Sequence, residues 1–208
     1  MEVGTADRKQ REKESLRAAI LDAARELFVQ HGYESVTMRK IAEKIEYSPT
    51  AIYQHFADKD TLIQELCALD FSTLASSFQR LVAEGDPIER MRQMGEVFVS
   101  FAKEFPNHYR WMFMTTHPPG HDALQLPHKG NPNRDSYSFL KWTCEQAIEQ
   151  GRLRPDISGD IAAQLAWGAM HGIIALQIAM GDEEWIEWTP LEELGSLMVD
   201  ALIRGFSR

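Results

Sequence analysis

Apolar residues recur every three or four positions through most of the chain, and alternating strand-like runs are nearly absent. Leu16, Ala19, Ile20, Ala23, Ala24, Leu27 and Phe28 form one apolar stripe, which predicts a helix over about 10–30 that Gly32 should stop. The tail before it, residues 1–9, is expected to be disordered. A short second helix begins near Thr37, whose hydroxyl can cap it, and turns Met38, Ile41, Ala42 and Ile45 inward. After a tight turn at Glu46-Tyr47, Ser48 is a good cap and Pro49 a good first helical residue, so a third helix runs to about His55. A fourth starts at the acidic cap Asp58 and passes through Leu62, Leu66 and Leu69 towards Val82.

The later elements announce themselves by their caps. Asp86-Pro87-Ile88-Glu89 supplies a cap, a proline and a third-position glutamate, and Thr189-Pro190-Leu191-Glu192 repeats that order. Between them the pattern predicts helices at about 87–104, 106–115, 134–150, 157–180 and 190–205. The segment from Thr116 to Asn133 holds four prolines and two glycines and should be irregular. The expected fold class is therefore all-α, about nine helices, with three short N-terminal ones before the longer set. The expected division is 1–60 and 61–208.

Charge adds one distinction. The net charge is −9, yet residues 1–64 carry 10 Lys/Arg against 11 Asp/Glu, while residues 65–208 carry 12 against 20. The acidity lies mainly in the second part, so a local phosphate-binding patch in the first is still allowed. Cys67 and Cys144 are not in a CxxC spacing, and a reducing cytosol fits them best. The charged start of the chain does not read as a signal peptide. Ile161–Met180 is twenty residues without a formal charge, but Gln164, His171 and Gln177 interrupt it and no Lys/Arg cluster flanks it. It reads as a helix buried in a core or between subunits, and no membrane partner is expected.

Helices two and three are each about two turns long, too short to persist alone in water. Packed on the first helix they make a helix-turn-helix, whose second member usually lies in the major groove of DNA, although short helices joined by tight turns also occur in many helical proteins. Ser48, Pro49 and Thr50 would then face base edges with small side chains. Tyr53 would meet a phosphate or sugar, or else pack half-buried. His55 and Lys59 lie near the far end, close to the other strand's backbone, although His55 reads equally well as a surface histidine. Thr37 could offer its hydroxyl and neighbouring N–H groups to a phosphate, and Arg39 and Lys40 lie on the polar side of helix two.

At this point the residues resemble a family. Gly32 to Leu66, GYESVTMRKIAEKIEYSPTAIYQHFADKDTLIQEL, resembles the DNA-binding region of TetR-family transcriptional regulators. The matching features are Gly32-Tyr33, Thr37, Ile41-Ala42, the Ser48 helix, Ile52-Tyr53, His55-Phe56, and Lys59 with Leu62. The resemblance implies a homodimer on double-stranded, near-palindromic operator DNA, usually a repressor, with a small-molecule effector and no cofactor. The turn departs from the family's usual Ala-Gly-Val: Ile45-Glu46-Tyr47 lacks a glycine to supply positive φ, so a different turn shape is expected. Glu46 also brings negative charge near phosphates. An activator, or a helical ligand- or protein-binding module that no longer reads DNA, remains the alternative.

For the second part, the last two helices carry more apolar surface than one core needs. Leu165, Gly172, Ile173 and Leu176 on one, with Leu194, Leu197, Met198 and Ala201 on the other, predict a four-helix dimer interface. The Trp167-to-Gly172 stretch is similar to the Trp…His-Gly segment of one TetR subgroup. Aromatic and methionine density suggests an adaptable, largely apolar effector cavity at Phe98, Phe101, Tyr109, Trp111, Met114, Trp142, Trp167, Met170 and His171, with plain core packing as the competing account. His117, His121 and His128 with Asp122 match no metal-ligand spacing, so no metal is expected. No phosphate loop, nucleophile elbow or HExxH is present, which argues against an enzyme.

Overall fold

The structure, a computed structural model, describes residues 5–116 and 128–207. Among these residues it contains nine α-helices: α1 Thr5–His31, α2 Met38–Lys44, α3 Pro49–Tyr53, α4 Lys59–Gln79, α5 Pro87–Glu104, α6 Pro106–Met114, α7 Ser136–Glu149, α8 Gly159–Met180 and α9 Leu191–Phe206. The all-α expectation and the helix order hold. Local chemistry sets the boundaries. Gly32 ends α1 at φ +73°, a left-handed conformation that glycine adopts without strain. Thr37, Ser48, Asp86, Asp135 and Ser158 each cap a helix by accepting a backbone N–H.

Two boundaries differ from expectation. α1 begins at Thr5, so residues 5–9 are helical and not a disordered tail. Side-chain pairs one turn apart, Arg8 with Glu12 and Gln10 with Glu14, support a stretch that buries nothing. At the other end Thr189 does not cap α9. Pro190 occupies the cap position with no side-chain hydrogen bond, and the Thr189 carbonyl accepts from Gln177 Nε2.

The chain forms two compact units. The first runs to Leu69 and takes in the segment starting at Asn107; the second comprises Asp70–Pro106 and the C-terminal part. Beyond the division expected at residue 60, Leu62, Ile63, Leu66 and Cys67 of α4 are buried in the first unit's core. That core joins Ile20, Ala24 and Phe28 of α1 to Ile41 of α2 and Ile52 of α3. Each of the larger ones, Ile20, Phe28, Ile41 and Ile52, contributes about 1.5–3 kcal/mol by leaving water.

In the second unit α5 packs on α7 and α9, and α8 on α7 and α9. Gly95 of α5 and Gly195 of α9 permit close approach: an added Cβ would lie 2.5 Å from Val199 Cγ2 and 2.8 Å from Val99 Cγ2 respectively. Among the described residues, α8 alone is long and apolar enough to cross a membrane, yet Ala162, Ala163, Ala166, Met170 and Ile174 pack it into this unit.

Candidate nucleic-acid interface

α3 has only five residues, so its position depends on two anchors. Ile52 and, just beyond the helix, Phe56 are completely buried in the first unit. The other side is open: Ser48, Pro49, Thr50 and Tyr53 are exposed, Tyr53 at 53%. The Ser48 hydroxyl oxygen accepts from Ala51 N at 3.3 Å, and the Thr37 hydroxyl oxygen from Lys40 N at 3.2 Å. Each hydroxyl retains its own proton to donate outward.

Arg39 and Lys40 are exposed on α2. Arg39 Nε reaches Glu43 at 2.8 Å, and Lys40 Nζ donates to Ser35 O at 2.7 Å. An exposed helix-surface pair contributes only about 0.3–0.5 kcal/mol, so Arg39 is easily redirected to a phosphate.

The α2–α3 turn has a left-handed residue although it lacks a glycine. Glu46 itself takes φ +60°. Glu46 N donates to Glu43 O and Tyr47 N to Ala42 O, at 3.2 and 3.0 Å, the paired bonds of a glycine-type helix stop. A side chain in this region costs about 1–2 kcal/mol. The turn also presents Tyr47, 51% exposed, immediately before α3. Sequence reasoning treated it only as a turn residue; an aromatic at an exposed turn beside a reading helix was the available signal.

Lys59 and His55 are half-buried. Lys59 Nζ donates to Tyr33 O and Val36 O, both at 2.9 Å, and sits 3.7 Å from the centre of the Tyr33 ring. Burial lowers its pKa. The Tyr33 hydroxyl donates to Asp60 Oδ1 at 2.8 Å; burial and that carboxylate push its pKa up to about 12. Lys59 thus pins the loop after α1 to the start of α4. The His55 ring is half-buried, with Nδ1 inaccessible and unpaired. Burial, then the charges of Lys13 and Arg17, lower its pKa. Arg17 extends over the Phe56 ring, 4.9 Å from its centre, and pairs with Glu65. One and two turns before it, Lys13 and Lys9 are exposed on the same side of α1. The expectation of a disordered tail concealed Lys9; the one-turn acid–base spacing was the signal for helix.

The nine residues expected to line an effector cavity divide between the units. Tyr109, Trp111 and Met114 lie on the segment belonging to the first. Trp111 is fully buried there, stacked on Phe28 at 5.0 Å, and Met114 is exposed. Phe98, Phe101, Trp142, Trp167, Met170 and His171 belong to the second unit. Phe98, Phe101 and Met170 are buried there, the Met170 methyl lying near both Gly95 and Gly195. Trp142 and His171 are half-buried, burial lowering the His171 pKa, and Trp167 is exposed against Tyr137. His117, His121 and Asp122 lie outside the described residues; His128 is half-buried.

Of the residues expected to join two subunits, Leu165, Leu176, Leu197 and Ala201 are exposed, and Gly172, Ile173, Leu194 and Met198 half-buried. Both Gly168 and Gly172 face open space. With Ile161, the α8–α9 surface is broadly apolar and uncovered within one chain.

Comparison with known proteins agrees with this arrangement. Residues 20–66 match the model of bacterial regulatory proteins of the tetR family, and residues 91–202 that of the tetracyclin repressor-like C-terminal domain. The HTH-type transcriptional repressor AcnR of Corynebacterium diphtheriae is 40% identical over 186 residues, 82% of this chain and 85% of that one. The HTH-type transcriptional regulator UidR of Escherichia coli K12 is 27% identical over 173 residues, 81% and 85% of the two chains. The fold is that of a TetR family transcription regulator from Marinobacter aquaeolei VT8, with TM-score 0.76, 18% identity, and 96% of this chain and 100% of that one covered. A first unit that matches the tetR family model, with its third helix anchored by Ile52 and Phe56, followed by a helical second unit that matches the family's C-terminal model, places this chain in the TetR family of DNA-binding transcription regulators.

Proposed function

We propose that the chain acts as a homodimeric repressor that leaves its operator when a small molecule binds the second unit. The observation that carries this reading is the division of α3 into a buried side, Ile52 with Phe56, and an exposed side of Ser48, Pro49, Thr50 and Tyr53. Those exposed residues take the base edges and adjoining sugar-phosphate, while Thr37, Arg39 and Lys40 take phosphates on the flank. The exposed Lys9 and Lys13 add positive charge on the Arg17 side of α1. A second copy covers the apolar α8–α9 surface around Leu165, Leu176 and Leu197, setting the two reading helices about 34–36 Å apart.

Two chain continuities support coupling. α4 runs from the first unit into the second, and α6 follows α5 through Phe105 to carry Trp111 into the first unit's core. An effector that prefers one spacing of the reading helices shifts the population towards it; equal affinity for both spacings would do nothing. The repressor role is supported by the AcnR relative.

The test is selection of bound fragments from the source genome, followed by gel shifts across a salt series. Tyr53→Ala should weaken binding at least tenfold while the dimer persists. Salt-insensitive or absent binding to every fragment would instead favour a module that has lost DNA reading, the outcome that Glu46 beside α3 would motivate.

A further inference from the structure

Arg90 is the one buried cation among the described residues of the second unit, with 2% of its surface exposed. It lies in the first turn of α5. Its Nη2 donates to Gln146 Oε1, and its guanidinium carbon sits 4.2 Å from the centre of the Trp142 ring. Among the described residues its Nε is buried without a hydrogen-bond partner. Among the described residues no carboxylate lies within ion-pair distance. The acids whose charge reaches it, Glu84 and Asp86, are already engaged. Asp86 accepts from Ile88 N at 2.8 Å and faces Arg152 Nη1 at 3.3 Å, while Glu84 accepts from Asp86 N at 3.0 Å.

This arrangement is costly for a group with only a packing role. A guanidinium stays protonated in a protein, and taking it from water without an anion forfeits solvation that one amide oxygen and one ring only partly restore. A methionine would fill similar space without that penalty. The surroundings have ligand-like chemistry. Phe78, Phe139 and Trp142 form a row, with centroids 6.3 and 5.6 Å apart, that ends at Arg90. Trp142 and Gln146, the two groups engaging the guanidinium, are both half-buried on α7. The acceptor position is therefore held by side chains that an incoming group can displace.

We infer that Arg90 anchors the effector, and that the effector carries an oxyanion, a carboxylate or phosphate, on an apolar body. The head group takes Nε and Nη2 side by side in the planar fork geometry that guanidinium offers, releasing Gln146. The body lies along Trp142, the half-buried end of the aromatic row. This rests on the reading of the second unit as the effector domain and narrows it from an apolar ligand to an amphipathic anion.

The experiment uses the full-length protein with octanoate, phenylacetate and octyl phosphate, each beside a neutral counterpart: octanamide, phenylacetamide and octanol. Thermal shift and calorimetric titration are the readouts, in wild type, Arg90→Met and Arg90→Lys. At least one anion should raise the wild-type melting temperature and bind tenfold or more tightly than its counterpart. Which of the three does so separates carboxylate from phosphate. Arg90→Met should melt at or above wild type without ligand and lose the anion preference; Arg90→Lys, which keeps charge but not the fork, should retain part of it. Equal responses to anion and counterpart in wild type, or an unchanged preference in Arg90→Met, overturn the assignment. If Arg90→Met does not fold, the wild-type comparison alone decides. DNA binding by the wild type is measured separately, so failure of the regulatory reading and failure of the anion site are told apart.

Discussion

Trp111 stacks on Phe28 with ring centroids 5.0 Å apart and planes inclined by 27°. A residue from the segment after α5 thereby completes the core that supports α2 and α3. Removing a buried ring costs about 3–5 kcal/mol, with a cavity left behind. Trp111→Ala should therefore lower the stability of the first unit by that amount and weaken DNA binding although Trp111 is far from solvent. Urea unfolding followed by hydrogen exchange on α1 would check it. A loss confined to the second unit would contradict the assignment of this segment.

Glu46 occupies a glycine's conformation and places a carboxylate beside the reading helix. Glu46→Gly removes about 1–2 kcal/mol of backbone strain, partly offset by the freer unfolded chain. The expected outcome is a stability gain of up to about 1 kcal/mol, together with tighter DNA binding from the lost negative charge. Urea midpoints and gel shifts at two salt concentrations read the two effects separately. Equal affinity at low salt would show that Glu46 lies away from the phosphates.

Lys59 distinguishes structural from DNA-contacting charge. Its ammonium holds the Tyr33 and Val36 carbonyls, so Lys59→Met, which keeps the apolar stem, should cost about 2 kcal/mol of stability. The slope of log K against log salt should stay unchanged. A phosphate contact at Lys59 would instead reduce the slope by about 0.9 for each protomer.

These cases show what was legible in the sequence. Gly32, Thr37, Ser48-Pro49 and Asp86-Pro87 mark helix ends through contacts with their immediate neighbours, so their roles follow from a few adjacent letters. The inward positions Ile41, Ile52 and Phe56 follow from helical spacing. Lys59 and Trp111 were ambiguous in the sequence because their partners are remote: Tyr33 and Val36 for one, Phe28 for the other. A lysine near a DNA-reading helix has the same sequence appearance whether it faces a phosphate or two carbonyls. Glu46 takes a positive φ that the sequence did not announce, because glycine is favoured, not required, there. Arg90 drew no notice because its burial and lack of an anionic partner exist only in three dimensions.

Gly95 tests the packing of the second unit. A Cβ there would stand 2.5 Å from Val199 Cγ2 and 3.8 Å from Met170 Cε. Valine has little freedom at χ1, so it cannot swing aside cheaply. Gly95→Ala should cost about 1–3 kcal/mol, more than the helix propensity it gains. Adding Val199→Ala should restore part of that loss, and a double-mutant cycle by denaturant unfolding would measure the coupling. Simple additivity would mean that α5 and α9 are not in close contact at this point.

His55 gives the first unit a pH dependence whose sign follows from its surroundings. Its folded pKa lies below the ordinary 6.5 because the ring is buried and Lys13 and Arg17 are near. The folded state therefore binds a proton less readily than the unfolded chain. This contribution to stability is fully present above the unfolded pKa and is lost as pH falls through the lower folded value. The urea midpoint of the wild type should drop between pH 7.5 and pH 5, beyond the drop seen in His55→Gln, which cannot take up the proton. Lys13→Gln should lessen the difference, since it removes one of the two repelling charges while leaving the burial of the ring intact. Identical pH profiles for wild type and His55→Gln would show that the imidazole titrates as freely in the folded protein as in the unfolded chain, and that Arg17 and Lys13 do not bear on it.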